Sequence, residues 1–534
     1  MTSTRLGQRH EIIAYVATTL ITLVPVWLPS VFPSQDGGAH IYNAHAMAVM
    51  ATGERGAHYS DLYAVNFTAL ANWADHLILA LLTALFSPTV AEKLLVSSYV
   101  LAFAAAARYA TGSIRPGHGW VAHLALPLIF TFSVQMGFYN FILSFPLYFV
   151  LIGFYWRHRD GRHTRSLALL LLALYLLHPL AWLFGILSLS IMVIAAARSP
   201  HAHGHTSAAT TTRRLMQVWL AALPGLVLLL VLIGHEPVEA AEWQPLPALL
   251  RHIVFGGPLW TFGPVDTGLG AALFGLFAFG TLLAWRTAKA DDASAALAWV
   301  TAAYLLLLVV LPSQWKSLGL ITERVGTFAF FTWVLALAGH NYTARARRAL
   351  IISGQLLALV FVARWAVAVQ MLEPYVEEYL SVAPHVEPAR RVLELNFAPR
   401  GRGPEGERLS HPVAPFAHTI GLVGAKRDAV ILNDYEAMTS VFPLKYRSGA
   451  GDLLESTTHD PPDFRMDDLY RFERLTCRPI DYIVVWQADP DDQHTQALLR
   501  NLRDRYELTY VSEPAGHAQV YRRRGGSPCG RTVY

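Results

Sequence analysis

The chain is expected to fold as an all-α polytopic membrane domain followed by a C-terminal α/β domain, and three observations carry that expectation. Its composition is 54% hydrophobic and only 15% charged, against roughly 25% charged in average soluble domains. Apolar runs of about 20 residues, the length a bilayer core requires, recur through the first 370 positions. Beyond them the character changes. Residues 371–534 hold 24 of the 38 acids and 20 of the 42 bases, leaving 14 acids and 22 bases for everything before.

The apolar runs lie near 12–32, 90–110, 120–136, 138–156, 165–180, 181–198, 215–233, 268–286, 294–312, 326–341 and 349–370, about eleven crossings in all. The polar stretches between them separate by charge. Thr2–Arg9, Arg108–Gly119, Arg157–Arg165, Arg198–Arg214, Arg286–Asp292 and Thr343–Arg348 together carry 16 of the 22 bases that precede residue 371. The alternate stretches, near 33–72 with Asp75, 137, 235–267 and 313–325, carry nine of the 14 acids. Lys and Arg gather on the cytoplasmic side of membrane proteins, so the expectation is an N-terminus inside and, after an odd number of crossings, a tail outside. This register requires that Trp73–Phe86 not cross. The basic excess therefore reads as a topology signal and not as a nucleic-acid footprint, and membrane lipids are the expected surroundings. Arg5 and Arg9 precede the run Ile12–Leu28 as they would in a secretory signal. The Leu28–Pro33 stretch that follows has no small-x-small cleavage pattern, so the run reads as a retained first helix.

The division expected is a membrane domain over 1–370, with a polar outer segment at 33–89, and an extracytoplasmic α/β domain over 371–534. In the tail, Ala429–Leu432 and Tyr482–Trp486 are short apolar runs bounded by Asp, which suits buried strands. Gln493–Arg503 has helical spacing with Leu498, Leu499 and Leu502 on one face. Tyr506–Val511 and Ala518–Tyr521, separated by Glu513–Gly516, read as a closing hairpin. The two cysteines, Cys477 and Cys529, both fall here, and their spacing leaves pairing and free thiols equally open.

The stretch Pro33–Ala46 carries the most chemical information. It sets Asp36 just past the first apolar run, ahead of an amphipathic helical segment in which Asp36 and His40 share a face. Asp36 could serve only as the cap of a helix starting at Gly37, or as a rigidly held base; Gly37 and Gly38 would let backbone or ligand come close. Lys316 and Arg324 are cations on the side where the charge rule disfavours them, which fits either snorkelling or an anion contact. His178, before Pro179, is either a packed turn residue or a ligand. Arg364, inside the last run, is costly in lipid and should pair or snorkel. Tyr42, Trp73, Tyr139, Trp243, Trp260 and Trp315 suit an interfacial aromatic belt or sugar stacking.

The order of these features resembles the GT-C class of membrane glycosyltransferases. A first span leads to an outer segment with an early acid, then to the surface helix around Asn72–Leu77, then to Glu92-Lys93 opening the next span. Gly137–Asn140, His178-Pro179, Pro312–Lys316 and Glu323-Arg324 are similar to short patterns of bacterial members, and Asp481–Trp486 with its hairpin is similar to their small C-terminal domains. The resemblance implies an enzyme of the inner membrane that moves a hexosyl or pentosyl group from a polyprenyl-phosphate donor to a lipid, glycan or protein acceptor. It implies Asp36 as base, with His40, Asp75, His76, Tyr139, Asn140, His178, Lys316 and Arg324 contacting substrate. Where many relatives carry an acidic pair this chain has Gln35-Asp36-Gly37, and the 137–140 segment has no acid. No metal ligands are therefore assigned and no cofactor is required, although a divalent metal is left open. Two other classes compete: a multi-pass transporter, which would place charges at mid-span, and a polysaccharide polymerase or ligase, whose large outer loop comes late in the chain.

Overall fold

The computed structural model describes residues 2–68, 70–161, 163–198, 207–235, 241–287, 292–315, 319–439, 441–447, 454–458 and 464–525. The chain divides into two compact units. One comprises Met1–Leu28, Val96–Val134 and Phe138–Val367, and the other Pro29–Leu95, Gln135–Gly137 and Ala368–Tyr534. The later boundary falls beside the expected division after residue 370. The polar segment following the first apolar run, however, belongs to the unit of the tail.

Among the described residues, nine helices are long and apolar enough to cross a membrane: Gln8–Trp27, Pro88–Ile114, Tyr139–His158, Pro179–Ala197, Ala208–Gly234, Val265–Arg286, Asp292–Val310, Ile321–Ala338 and Ala344–His385. Each corresponds to one of the eleven apolar runs. Such runs become helices because a backbone without water must satisfy its N–H and C=O groups internally. The other two runs form shorter pieces for local reasons. The run at 120–136 contains Pro127 and breaks into turns at Gly119–Leu124 and Leu126–Leu128 and a short helix at Phe132–Gln135, since proline removes a ladder donor. The run at 165–180 is helical only over Thr164–Leu177, because His178 takes an extended conformation ahead of Pro179, as the residue before proline prefers. Trp73–Phe86, expected not to cross, yields the 10-residue helix Ala74–Thr83, about 15 Å long and half of what a bilayer core needs.

Two ion pairs hold the first unit at positions where a lone charge would be costly. Arg108 grips Glu11 with both terminal nitrogens, at 2.7 and 3.1 Å, and His123 Nε2 approaches the same carboxylate at 3.0 Å. Arg364 pairs as expected: its Nε donates to Asp266 Oδ1 at 2.9 Å. The other oxygen of Asp266 accepts the backbone N–H groups of Thr261, Phe262 and Gly263. This carboxylate thus ties a turn, the start of one helix and the middle of another.

In the second unit the tail forms a five-stranded sheet. Among the described residues of the unit there are seven strands: β1 (Tyr63–Val65), β2 (Arg391–Asn396), β3 (Val430–Ile431), β4 (Leu444–Tyr446), β5 (Tyr482–Trp486), β6 (Tyr506–Val511) and β7 (Ala518–Arg523). The large sheet has the order β3-β2-β5-β7-β6, with β3, β2 and β5 parallel and β7 antiparallel to both β5 and β6. The expected strand at Tyr482–Trp486 and the closing hairpin form as read, as does the helix Gln493–Leu502. The strand β2 was not expected. It sits between β3 and β5, and its Glu394, buried among Val392, Leu393 and Leu395, disguises a core strand as a polar one. The small β1–β4 sheet joins the early segment to residues 444–446. Cys477 is not a free thiol, and Cys529 lies outside the described residues.

Two consequences can be measured. Arg364→Leu strips Asp266 of its counter-charge and should destabilise the helical unit by about 3 kcal/mol, the range found for broken buried pairs, read as a lower unfolding temperature in detergent; Asp266→Asn, which removes the charge but keeps an acceptor, should cost less. In the tail, burial pushes the Glu394 carboxyl up to about 8, against the hydrogen bonds that Tyr379 and Asn396 donate to it. A carboxyl raised in the fold stabilises it below its unfolded value, and that contribution fades as pH climbs from about 4.5 through 8. Glu394→Gln should therefore flatten the pH dependence of melting in this window and melt above the wild type at pH 8.5; equal pH profiles for both would remove Glu394 as the cause.

Candidate functional site

Asp36 precedes the helix Gly37–Met50, yet its side chain makes no capping hydrogen bond. The bland reading of this acid, a helix cap and nothing more, is therefore not what the structure contains. Its backbone is set by neighbours. The N–H groups of Gln35 and Asp36 donate to the carbonyls of Gln135 and Met136, and Gly137, with φ +76, lies so close that a Cβ there would stand 2.7 Å from the Gly37 nitrogen. Gly38 permits a second close approach: a Cβ at this position would meet the His418 carbonyl oxygen at 2.2 Å. The closeness expected of the glycine pair is thus backbone against backbone.

The carboxylate of Asp36 is nearly fully buried. Gln35 Nε2 donates to it at 3.2 Å, the Tyr435 hydroxyl donates to it as well, and His418 Nε2 stands 3.7 Å away. Burial pushes the carboxyl up to about 6, with the charge of His40 acting the other way. Burial, with His40 nearby, keeps His418 neutral, lowered to about 3. The other acids of the segment are engaged differently. Asp61 takes paired hydrogen bonds from Arg478 and another from Arg391, which hold its carboxyl near 2. Burial would raise Asp75, but the charges and hydrogen bonds of His76 and His40 outweigh it and hold the carboxyl well below the usual range.

His40, Asp75 and His76 come together although 35 residues separate the first from the second in sequence, and a fourth group, Glu436, joins them. His40 Nδ1 is 2.7 Å from Asp75 Oδ2 and 3.4 Å from Glu436 Oε1. His76 lies between the two carboxylates, its Nδ1 2.7 Å from Asp75 Oδ1 and its Nε2 2.7 Å from Glu436 Oε2. All four side chains are buried, so they meet one another and not solvent. Asp434 adjoins the group: its Oδ1 accepts from Asn43 Nδ2 at 3.1 Å and from the Glu436 N–H at 3.3 Å, and burial with the Glu436 charge pushes its carboxyl up to about 8. Neither Glu436 nor Asp434 was singled out in the sequence. The run Asn433–Glu436 offers two acids beside an apolar strand, a signal no stronger than many others in an acidic tail.

In the first unit the structure joins His178 and Arg324. Arg324 Nη1 is 3.0 Å from His178 Nε2, and the guanidinium lies over Phe138 and Phe141, 4.6 and 5.0 Å from their ring centres. His178 Nδ1 accepts the Leu180 N–H at 3.2 Å and so caps the helix that Pro179 opens. Tyr139 and Asn140 are buried at the start of their helix. Lys316 lies outside the described residues. Of the aromatic residues named as belt or stacking groups, Trp243, Trp260 and Trp315 are well exposed, whereas Tyr42 and Tyr139 are core. Compared with known protein families and with curated proteins, the chain matches none.

Proposed function

We propose that the protein is a polytopic membrane glycosyltransferase of the GT-C kind, with Asp36 as the base that activates the acceptor. The observation that carries this reading is the state of Asp36 among its neighbours. Asp61 is clamped by two arginines and Asp75 by two histidines, whereas Asp36 is held by the neutral groups of Gln35, Tyr435 and His418 and does not cap its helix. An acid kept in one place by neutral donors retains the ability to take a proton; one already paired to cations does not.

In this reading the sugar donor is a polyprenyl phosphate, and the acceptor is a lipid, glycan or protein hydroxyl. The hydroxyl oxygen attacks the anomeric carbon and gives its proton to Asp36. The bond from that carbon to the phosphate oxygen breaks, and the polyprenyl phosphate departs with the electron pair. The leaving group needs no acid, but its growing charge needs a cation. Arg324, fixed by His178 and two phenylalanine rings, suits that task, and Lys316 is the second candidate. The chemistry is assigned to the outer face of the inner membrane, with eleven crossings when the two shorter apolar segments are counted and with the tail outside.

Two substitutions test this. Asp36→Asn keeps volume and polarity but cannot take a proton, so transfer from a polyprenyl-phosphate sugar should fall by about 10²–10⁴-fold with unchanged abundance in the membrane. A fully active Asp36→Asn would remove Asp36 as base. Arg324→Lys preserves charge but loses the planar fork that can donate paired hydrogen bonds to a phosphate, so transfer should drop while expression holds. Full activity in both Arg324→Lys and Arg324→Ala would return this arginine to a packing role.

A further inference from the structure

We propose that the ends of three helices in the first unit form a binding site for the phosphate of an anionic membrane lipid. The last turn of the helix Tyr139–His158, the first turn of the helix Thr164–Leu177 and the early turns of the helix Ala208–His235 surround one cleft. Its basic lining is His158, Arg159, His163 and Arg214, with Phe154 and Leu167 among them, and no acid is among its described lining residues.

Basic residues that only mark topology keep their charged heads in water. These arginines do not. The Arg214 side chain is 15% exposed, and its Nε is buried without a hydrogen-bond acceptor. A buried donor left unmade on a cation is destabilising, and a bound anion relieves it. The acid that Arg214 does touch is a poor substitute. Asp160 Oδ1 accepts from Nη2 at 2.6 Å, but the Asp160 side chain is 78% exposed, and pairs with exposed acids contribute little. Arg159 is held over Trp156, 4.1 Å from the ring centre, and its Nη1 donates to the Trp156 carbonyl at 2.8 Å. Among the described residues no carboxylate stands within ion-pair distance of it. Its position is thus fixed while its charge is unmet. His158 donates through Nδ1 to the Phe154 carbonyl at 2.9 Å, which leaves Nε2 for a ligand.

Size and surroundings select the ligand. The enclosed volume is about 20 Å³, room for about one water, so a nucleotide or a sugar cannot enter. A ligand must rest across the mouth with its anionic oxygens inward, where guanidinium groups meet phosphate in paired hydrogen bonds. Leu169, Met216 and Leu220, on the same helices, are exposed apolar side chains that acyl chains would cover. Phosphate at the mouth beside apolar helix surface is the layout of a phospholipid, and basic pockets between spanning helices suit anionic headgroups. The proposal rests on the membrane reading of the helical unit and not on glycosyl transfer. A chain that leaves the membrane fraction without detergent would overturn that reading, whereas a detergent-dependent chain blind to anionic lipid would overturn this proposal alone.

The test titrates the full chain in detergent with phosphatidylglycerol or phosphatidylcholine and counts bound lipid by native mass spectrometry. Phosphatidylglycerol should bind roughly tenfold more tightly than phosphatidylcholine, and Arg159→Gln combined with Arg214→Gln should erase the difference. Equal affinities in the wild type, or an undiminished preference in the double variant, would overturn the proposal. Should that variant fail to fold, Asp160→Asn decides. Freed of its acid, Arg214 should hold phosphatidylglycerol more tightly than in the wild type, and unchanged or weaker binding would count against the site. Inorganic phosphate separates the two sources of the same chemistry. Lipid binding that persists in excess phosphate supports the lipid, whereas complete displacement assigns the cleft to a free anion and overturns it.

Discussion

The cost of taking a carboxylate out of water organises this protein more than any other single constraint. An unpartnered buried charge costs several kcal/mol, and the chain meets that cost in three ways. In the helical unit it supplies fixed cations: Arg108 and His123 for Glu11, Arg364 for Asp266. In the unit of the tail it supplies imidazoles, His40 and His76, for Asp75 and Glu436. At Glu394, among the described residues, the partners are the neutral groups of Tyr379 and Asn396, and burial drives the carboxyl toward its neutral form. The ion pairs join segments far apart in the chain, so the same interactions that neutralise charge also define which segments pack.

Asp36 stands apart from all three. Its partners are a primary amide, a phenol and a neutral imidazole, which position a carboxylate without saturating it. The backbone around it is over-determined by Gly137 and Gly38, where any side chain would collide with neighbouring main chain. The carboxylate is thus held by groups other than the cations that clamp Asp61 and Asp75. In the helical unit, by itself, the Arg324 guanidinium lies over two phenylalanine rings and contacts one nitrogen of His178.

Much of the fold was legible because periodicity and length are local properties. The nine long helices coincide with apolar runs, and β5, β6, β7 and the Gln493–Leu502 helix coincide with their patterns. The elements that were not legible have specific causes. Pro127 and the His178-Pro179 step shorten two runs whose composition alone resembles a full crossing. Glu394 hides β2, because a buried acid breaks the apolar pattern by which strands are recognised. The grouping of residues 29–95 with the tail depends on pairings such as β1 with β4 and His76 with Glu436, 360 residues apart, and no local pattern announces them.

By itself the sequence determined that long apolar helices, nine of them among the described residues, are followed by a polar α/β tail. Those conclusions rest on burial preference and on hydrogen-bond satisfaction in lipid, which each stretch of chain expresses independently. Only the tertiary structure decided that Asp36 is not a cap, that Arg364 answers to Asp266, and that His40, Asp75 and His76 close on Glu436. Each of these is a pairing of charges or lone pairs between distant segments. A charge advertises only that it needs a partner; which partner it finds is settled when the chain has brought the two within about 3 Å of each other.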